Sequence, residues 1–192
     1  MADDTRQNEE TLWVLRAQTG DLAALESLLA KVEAPLYRYV ATLVGEPARA
    51  ADVLQETFVR IWRKLVWLRD PSLFRPWAYR IASHEAFRSL ARDRRWSDIA
   101  DGRELEALAA PAPPTLDPGL RERLAGFVRA LPPASRAVIL LVYFEDFTLA
   151  ETAAVLGVPP GTVRSRLAYG LAKLRGRLQA EAPGRSPTAE AS

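Results

Sequence analysis

Four prolines, Pro111, Pro113, Pro114 and Pro118, close a stretch from 97 to 118 that carries five acidic groups, one basic group and no sustained apolar period. Proline lacks the amide hydrogen and the torsional freedom that helix and sheet interiors need, so no long regular element crosses this stretch. It reads as a flexible acidic linker with room for a short helical piece around Glu104–Ala109. A chain of 192 residues interrupted there is expected to fold as two small units, 8–96 and 119–178, since one domain usually takes about 100–200 residues. The tail 179–192, with Pro183, Gly184 and Pro187, is expected to be disordered.

Both units show apolar residues at helical spacing and neither sustains a two-residue alternation, so the expected class is all-α. Gly20-Asp21 separates two helices, with Asp21 as N-cap, and the second runs to about Val44 before Gly45-Glu46-Pro47. A third helix, about 47–67, places Leu54, Phe58, Ile61, Trp62 and Leu65 on one face. A loop at 68–75, with Pro71 inside it and Pro76 directly after it, leads to a fourth helix, about 76–95.

Several function classes are excluded by what is missing. There is no cysteine and only one histidine, which removes disulfides, thiolate or multi-histidine metal centres and a cysteine nucleophile. No phosphate-binding GxxxxGK[ST] loop is present. No cofactor and no enzymatic activity are therefore expected, although a carboxylate site for a divalent metal would need a nuclease assay with Mg²⁺ to exclude. The longest clean apolar run, Ala137 to Phe144, spans 8 residues, against about 20 for a membrane-spanning helix. With no apolar segment in MADDTRQNEE, a cytoplasmic protein without membrane insertion is expected.

The formal net charge of +2 hides a strong pattern. Residues 60–96 carry 10 basic and 3 acidic groups, and residues 157–178 carry 5 basic groups and no acid. Clustered Lys/Arg is what phosphate neutralisation requires, although ordinary solvated helix faces would give the same composition. Eight of the sixteen aromatic residues also lie between Phe58 and Trp96. Aromatics beside arginines suit single-stranded nucleic acid, through stacking and phosphate contact.

Three constellations carry chemistry. In ADVLQETFVRIWRKL, residues 51–65, burial of the apolar face leaves Asp52, Gln55, Glu56, Val59 and Arg63 outward. That is either a solvated face or a docking surface for a protein with basic side chains. In the fourth helix, Ala78, Tyr79, Ala82, Ala86 and Leu90 gather on one side, with Trp77, Arg80, His84, Arg88 and Arg95 on the other. Like charges one turn apart destabilise a helix, so the ladder Arg80, His84, Arg88, Arg92 calls for an anionic partner. In TLAETAAVLGVPPGTVRSRLAYGLAKLR, residues 148–175, Thr148 and Glu151 form a capping box, Ala153 is a small crossing residue and Gly157 supplies a tight turn. The following helix buries Val163, Leu167, Leu171 and Leu174. It presents Thr162, Ser165, Ala168 and Tyr169 flanked by Arg164, Arg166 and Lys173. Small polar groups with basic shoulders are the layout of a major-groove recognition helix.

Taken in order, GDLAALESLLAKVEAPLYRYV, ADVLQETFVRIWRKL, FRPWAYRIA and LPPASRAVILLVYFEDFTLAETAAVLGVPPGTVRSRL resemble a bacterial RNA polymerase sigma factor of the sigma-70 family, extracytoplasmic-function (ECF) group. The resemblance covers about 20–96 and 119–176. It implies a promoter-specificity subunit without catalysis of its own, serving a stress or envelope-related regulon. It assigns 8–96 to sigma domain 2 and 119–178 to sigma domain 4. Asp52, Gln55 and Glu56, with Val59 and Arg63 on the same face, would dock on core polymerase, Phe58 being buried. Arg75, Trp77, Arg80, His84, Arg88, Arg92 and Arg95 would meet single-stranded DNA at the −10 element and promote its melting. Thr162, Arg164, Ser165, Arg166, Tyr169 and Lys173 would meet the double-stranded −35 element. An anti-sigma protein is a further implied partner. The chain departs from the family at Ser83-His84, where Arg-Asn is frequent, at Arg88, commonly Asp, and at Ala168-Tyr169-Gly170-Leu171, which replaces a basic run.

Overall fold

The computed structural model describes residues 2–94 and 118–181, with side chains described for 8–92 and 123–179. The linker and tail expectations, Arg95 included, lie outside those residues. Every regular element among the described residues is helical. The N-terminal unit comprises α1 (Ala2–Gln18), α2 (Leu22–Val44), α3 (Pro47–Lys64) and α4 (Phe74–Arg94). Between α3 and α4 the chain makes two short 3-10 turns, Leu65–Trp67 and Pro71–Leu73. The C-terminal unit comprises α5 (Pro118–Arg129), α6 (Pro133–Tyr143), α7 (Leu149–Leu156) and α8 (Pro160–Glu181).

Local chemistry sets the boundaries. Asp21 caps α2 by accepting from the Ala24 amide at 3.0 Å. That bond, with the Arg16 guanidinium at 2.7 Å, holds its carboxyl below the usual range. Gly45 ends α2 with φ of 82°, a left-handed conformation that glycine adopts without a side-chain penalty. The fourth helix starts at Phe74, two residues before the expected start, with Pro76 inside its first turn. Amides of the first turn have no intrahelical acceptor, so a proline there forfeits nothing. The third helix gives way at Leu65 to a 3-10 turn. Gln18 fixes that turn by donating to the carbonyls of Leu65 and Leu68 at 2.9 and 2.8 Å.

The face assigned to Trp62 is corrected. Ala50, Val53, Leu54, Thr57, Ile61 and Leu65 are buried, whereas Trp62 is 59% exposed. A step of about 100° from Ile61 carries position 62 off the stripe, and Thr57, polar in composition, fills the core instead by donating to its own helix at the Val53 carbonyl, 2.7 Å. Phe58 is half-buried against the core.

The two units share one core. Leu28, Leu36, Leu43, Ile61, Phe74 and Tyr79 belong to the same continuous cluster as Leu131, Ile139, Leu141, Phe147 and Val155. A smaller cluster of Val138, Ala153 and Val163 joins α6, α7 and α8. Gly170 is buried where α8 crosses α6, and a Cβ there would meet Ile139 Cγ1 at 3.1 Å. The glycine thus sets how closely these helices approach.

The capping box of α7 is complete: the Glu151 amide donates to Thr148 Oγ1 at 3.2 Å, and the Thr148 amide donates to Glu151 Oε2 at 2.8 Å. These Thr148 bonds hold the Glu151 carboxyl below its ordinary range. Thr148→Ala removes the hydroxyl that accepts from the Glu151 amide and donates to Glu151 Oε2 at 2.7 Å, and is expected to cost about 1 kcal/mol. A fall in melting temperature of about 2–4 °C by calorimetry checks this.

Candidate nucleic-acid interface

Helix α4 is the hinge of the candidate site because each of its sides meets something different. Its inner side is core: Ala78, Tyr79, Ala82, Ser83 and Ala86 are buried. Ser83 donates to the Tyr79 carbonyl at 2.7 Å, so the Tyr39 hydroxyl, also at 2.7 Å, donates to Ser83. Burial pushes the Tyr39 phenol well above its ordinary range. Ser83 is thereby a core residue, and only His84 of the Ser83-His84 pair faces outward.

The side of α4 toward the C-terminal unit forms a polar seam. The chain leaves α6 through Phe144-Glu145-Asp146-Phe147, where Asp146 takes φ of 55°. Asp tolerates this left-handed conformation better than most residues. Phe144 and Asp146 are exposed, while Glu145 (7% exposed) and Phe147 turn inward. Glu145 Oε2 accepts from the Tyr79 hydroxyl. Arg75 donates to the Glu145 carbonyl at 2.6 Å, and its guanidinium lies 4.6 Å from the Phe147 ring centroid and 5.6 Å from that of Tyr79. Arg80 donates to the Ala154 carbonyl on α7 at 2.9 Å. Arg136 of α6 donates to the Leu43 carbonyl at 2.8 Å, a cation at the C-terminal end of α2. Burial pushes the Glu145 carboxyl above its ordinary range, against the opposing pull of the Tyr79 bond and the Arg75 charge.

Arg75 and Arg80 of the predicted −10 set therefore face the C-terminal unit in this conformation. His84, Arg88 and Arg92 stand exposed, and Trp77 is half-buried, its ring 6.2 Å from Phe74. Beneath this exposed row lies Glu85, buried, with Arg60 of α3 at 2.9 Å. Sequence reading passed over both buried carboxylates. Glu85 had a signal, since it falls between Ala82 and Ala86 on the inner side; Glu145 had none.

On α3, Asp52, Gln55, Glu56 and Arg63 are exposed and Val59 is half-buried, forming one outward surface. Trp62, with Val66 and Trp67 beyond it, extends this surface with exposed apolar area. In the C-terminal unit, α7, the left-handed Gly157 (φ 65°) and α8 form a helix-turn-helix. Arg164 and Lys173 are exposed; Thr162, Ser165, Arg166 and Tyr169 are half-buried. Ser165 donates to the Thr162 carbonyl at 3.0 Å, and the Lys173 ammonium lies 5.7 Å from the Tyr169 ring centroid. Arg166 instead lines a groove of about 560 Å³ between the units, with Phe87, Leu90, Ala91, Pro132, Pro133, Ala134 and Leu156. Among the described residues no group of three or more acidic or histidine side chains could hold a metal ion, and no helix is long and apolar enough to cross a membrane.

The geometry of α4 generates a pH prediction. A carboxyl whose proton affinity is higher in the folded than in the unfolded chain adds stability as pH falls through its range and loses it as pH rises. For Glu145 that window opens just above 4.5. The melting temperature of the wild type relative to Glu145→Gln is expected to rise as pH is lowered from 7 toward about 5, measured by scanning calorimetry; a pH-independent difference would contradict it.

Comparison with known proteins places these two units. Residues 28–96 match Sigma-70 region 2, and residues 128–176 match Sigma-70, region 4. The RNA polymerase sigma factor CarQ of Myxococcus xanthus is 31% identical over 160 residues, covering 83% of this chain and 92% of its own. The ECF RNA polymerase sigma factor SigL of Mycobacterium tuberculosis is 30% identical over 166 residues, covering 85% and 93%. Among solved structures, CnrH in complex with the cytosolic domain of CnrY superposes with a TM-score of 0.67 at 26% identity, over 91% of this chain and 99% of that one. The sigma factor RpoE of Bartonella quintana, solved with the anti-sigma factor NepR, shares the fold with a TM-score of 0.64 at 22% identity, over 81% and 97%.

Proposed function

The chain belongs to the sigma-70 family of RNA polymerase sigma factors, in the ECF group, and from that premise we propose how its residues divide the work of initiation. It binds core polymerase through the outward face of α3, the −10 element through α4 and the loop before it, and the −35 element through α8. The observation that carries this reading is the pairing, in one chain, of a helix-turn-helix whose second helix exposes Arg164 with a four-helix unit whose last helix exposes His84, Arg88 and Arg92.

Each assignment has a physical basis. The α3 face mixes Asp52, Gln55, Glu56 and Arg63 with the exposed Trp62. Charged groups around an aromatic anchor are what protein interfaces use for orientation and affinity. Core polymerase supplies the catalytic centre, and this chain acts as a specificity subunit. On α4 the cations hold the displaced strand, and binding its bases offsets the few kcal/mol that unstacking a base costs. The chain so promotes melting without doing chemistry. The regulon we assign to it is one of stress or envelope response.

The closed seam bears on this reading. Elements centred at −35 and −10 lie about 85 Å apart along straight B-DNA at about 3.4 Å per base pair. A packed chain of this size has a radius of gyration of only about 16 Å. Binding both elements together therefore requires the units to part, releasing Arg75 and Arg80 for DNA. CnrH was solved in complex with the cytosolic domain of CnrY. We assign to this chain an anti-sigma partner that acts on the same two units, within the cytoplasm where polymerase works.

Two outcomes follow. Glu56→Lys places a like charge against basic groups of the partner and is expected to weaken co-purification with core polymerase about tenfold or more, while circular dichroism stays unchanged; retention at wild-type affinity removes the α3 assignment. Arg164→Ala is expected to cost about 1–3 kcal/mol of −35 binding. A footprint on promoter-bound polymerase that is unchanged by the substitution removes the α8 assignment.

A further inference from the structure

Glu85 is 5% exposed, yet its carboxylate reaches three basic side chains on two helices. Oε1 lies 2.9 Å from Nε of Arg60 on α3 and 3.1 Å from Nδ1 of His84, and Oε2 lies 3.8 Å from Arg88. The outer ends of these groups stay in solvent, the His84 side chain being 72% exposed. Adjacent residues on a helix do not ordinarily face each other, so the His84 ring has swung back to reach the carboxylate. This contact has a chemical consequence. An ionised carboxylate only accepts hydrogen bonds, so Nδ1 of His84 must carry the hydrogen. Nε2 then stands at the solvent edge of the DNA-facing row.

We propose that Glu85 is a positioning residue for promoter readout: it fixes the orientation of the His84 ring, with Nε2 toward an unpaired −10 base, so that the base preference at one −10 position depends on Glu85 as well as on His84. The inference rests on the reading of α4 as the −10 helix. Glu85 does not touch the DNA; it acts through the ring it orients. The Arg60 guanidinium on α3, 2.9 Å away, and burial between α3 and α4 hold the carboxylate in place. Arg88, 3.8 Å from the same carboxylate and largely exposed, can meet the adjoining phosphate. A side chain at position 84 without this support would turn freely and present no fixed edge to the base.

The test uses holoenzyme reconstituted from the full chain and core polymerase, on a genomic fragment that the wild type transcribes, with its −10 bases randomised and the transcripts counted by sequencing. If the wild type initiates on no fragment, the sigma reading fails and this proposal falls with it. Given initiation, wild-type holoenzyme is expected to show a base preference at one −10 position that depends on His84. Glu85→Gln and His84→Ala are each expected to lose about tenfold of that discrimination, and the double variant to lose no more than either single one, as expected of residues acting through one contact. A purely structural Glu85 would lower transcription at all sequences and leave the base profile intact, which overturns the proposal, as do additive losses. Should Glu85→Gln fail to fold, His84→Ala at its exposed position still decides: a −10 base profile identical to that of the wild type overturns the proposal.

Discussion

A carboxylate taken out of water must find cations or hydrogen-bond donors, because an unpaired buried charge costs several kcal/mol. In this chain that requirement is met twice on one helix. Glu85, which belongs to α4, gathers Arg60, His84 and Arg88. Glu145, which reaches α4 from the other unit, meets Tyr79 and Arg75. Between them they fix the orientation of α4 relative to α3 on one side and to the turn before α7 on the other. The apolar core alone would not specify this, since the inner side of α4 is largely alanine, and alanine permits rotation and sliding.

The two carboxylates do different things. Glu85 joins elements within the N-terminal unit, and its cations are arranged with their free ends outward. Glu145 joins the units, and its partners are drawn inward. Arg75 and Arg80 are consequently spent on protein carbonyls and a carboxylate, groups that present the same acceptor oxygens as a phosphate. Under the proposed function, seam and DNA compete for one set of guanidinium groups. The raised proton affinity of Glu145 marks the seam as a contact held with some residual desolvation cost, as suits a junction that must part when two distant elements are engaged.

Much of this was legible in the sequence where the cause is local. Asp21 as a cap, the Thr148–Glu151 capping box and the Gly157 turn are set by neighbours within a few positions, and each stands where the spacing put it. The start of α4 shifted because Pro76 fits anywhere in a first turn, so a proline marks a start only to within that turn. Trp62 is misplaced because bulk and aromaticity point to the core where Thr57 sits instead; Leu54, Ile61 and Leu65 of the same stripe are buried. The seam was illegible for a deeper reason. Periodicity sorts Arg75 and Arg80 onto a polar side but is silent on which anion they meet, and Glu145 in FEDF looks like any surface acid until the turn at Asp146 aims it inward. The turn at Gly157 and the basic helix after it were readable from local spacing, whereas the placing of Arg166 at the groove between the units depends on long-range packing.

The central claim is that this chain directs polymerase to promoters through two separate contacts on DNA. Mapping of transcript starts made by core polymerase on fragmented genomic DNA, with and without the chain, tests it most directly. The account predicts starts that depend on the chain and share two upstream motifs, one near −10 and one near −35, at a nearly constant spacing. Transcription that is unchanged by adding the chain, or chain-dependent starts without the paired motifs, would contradict it.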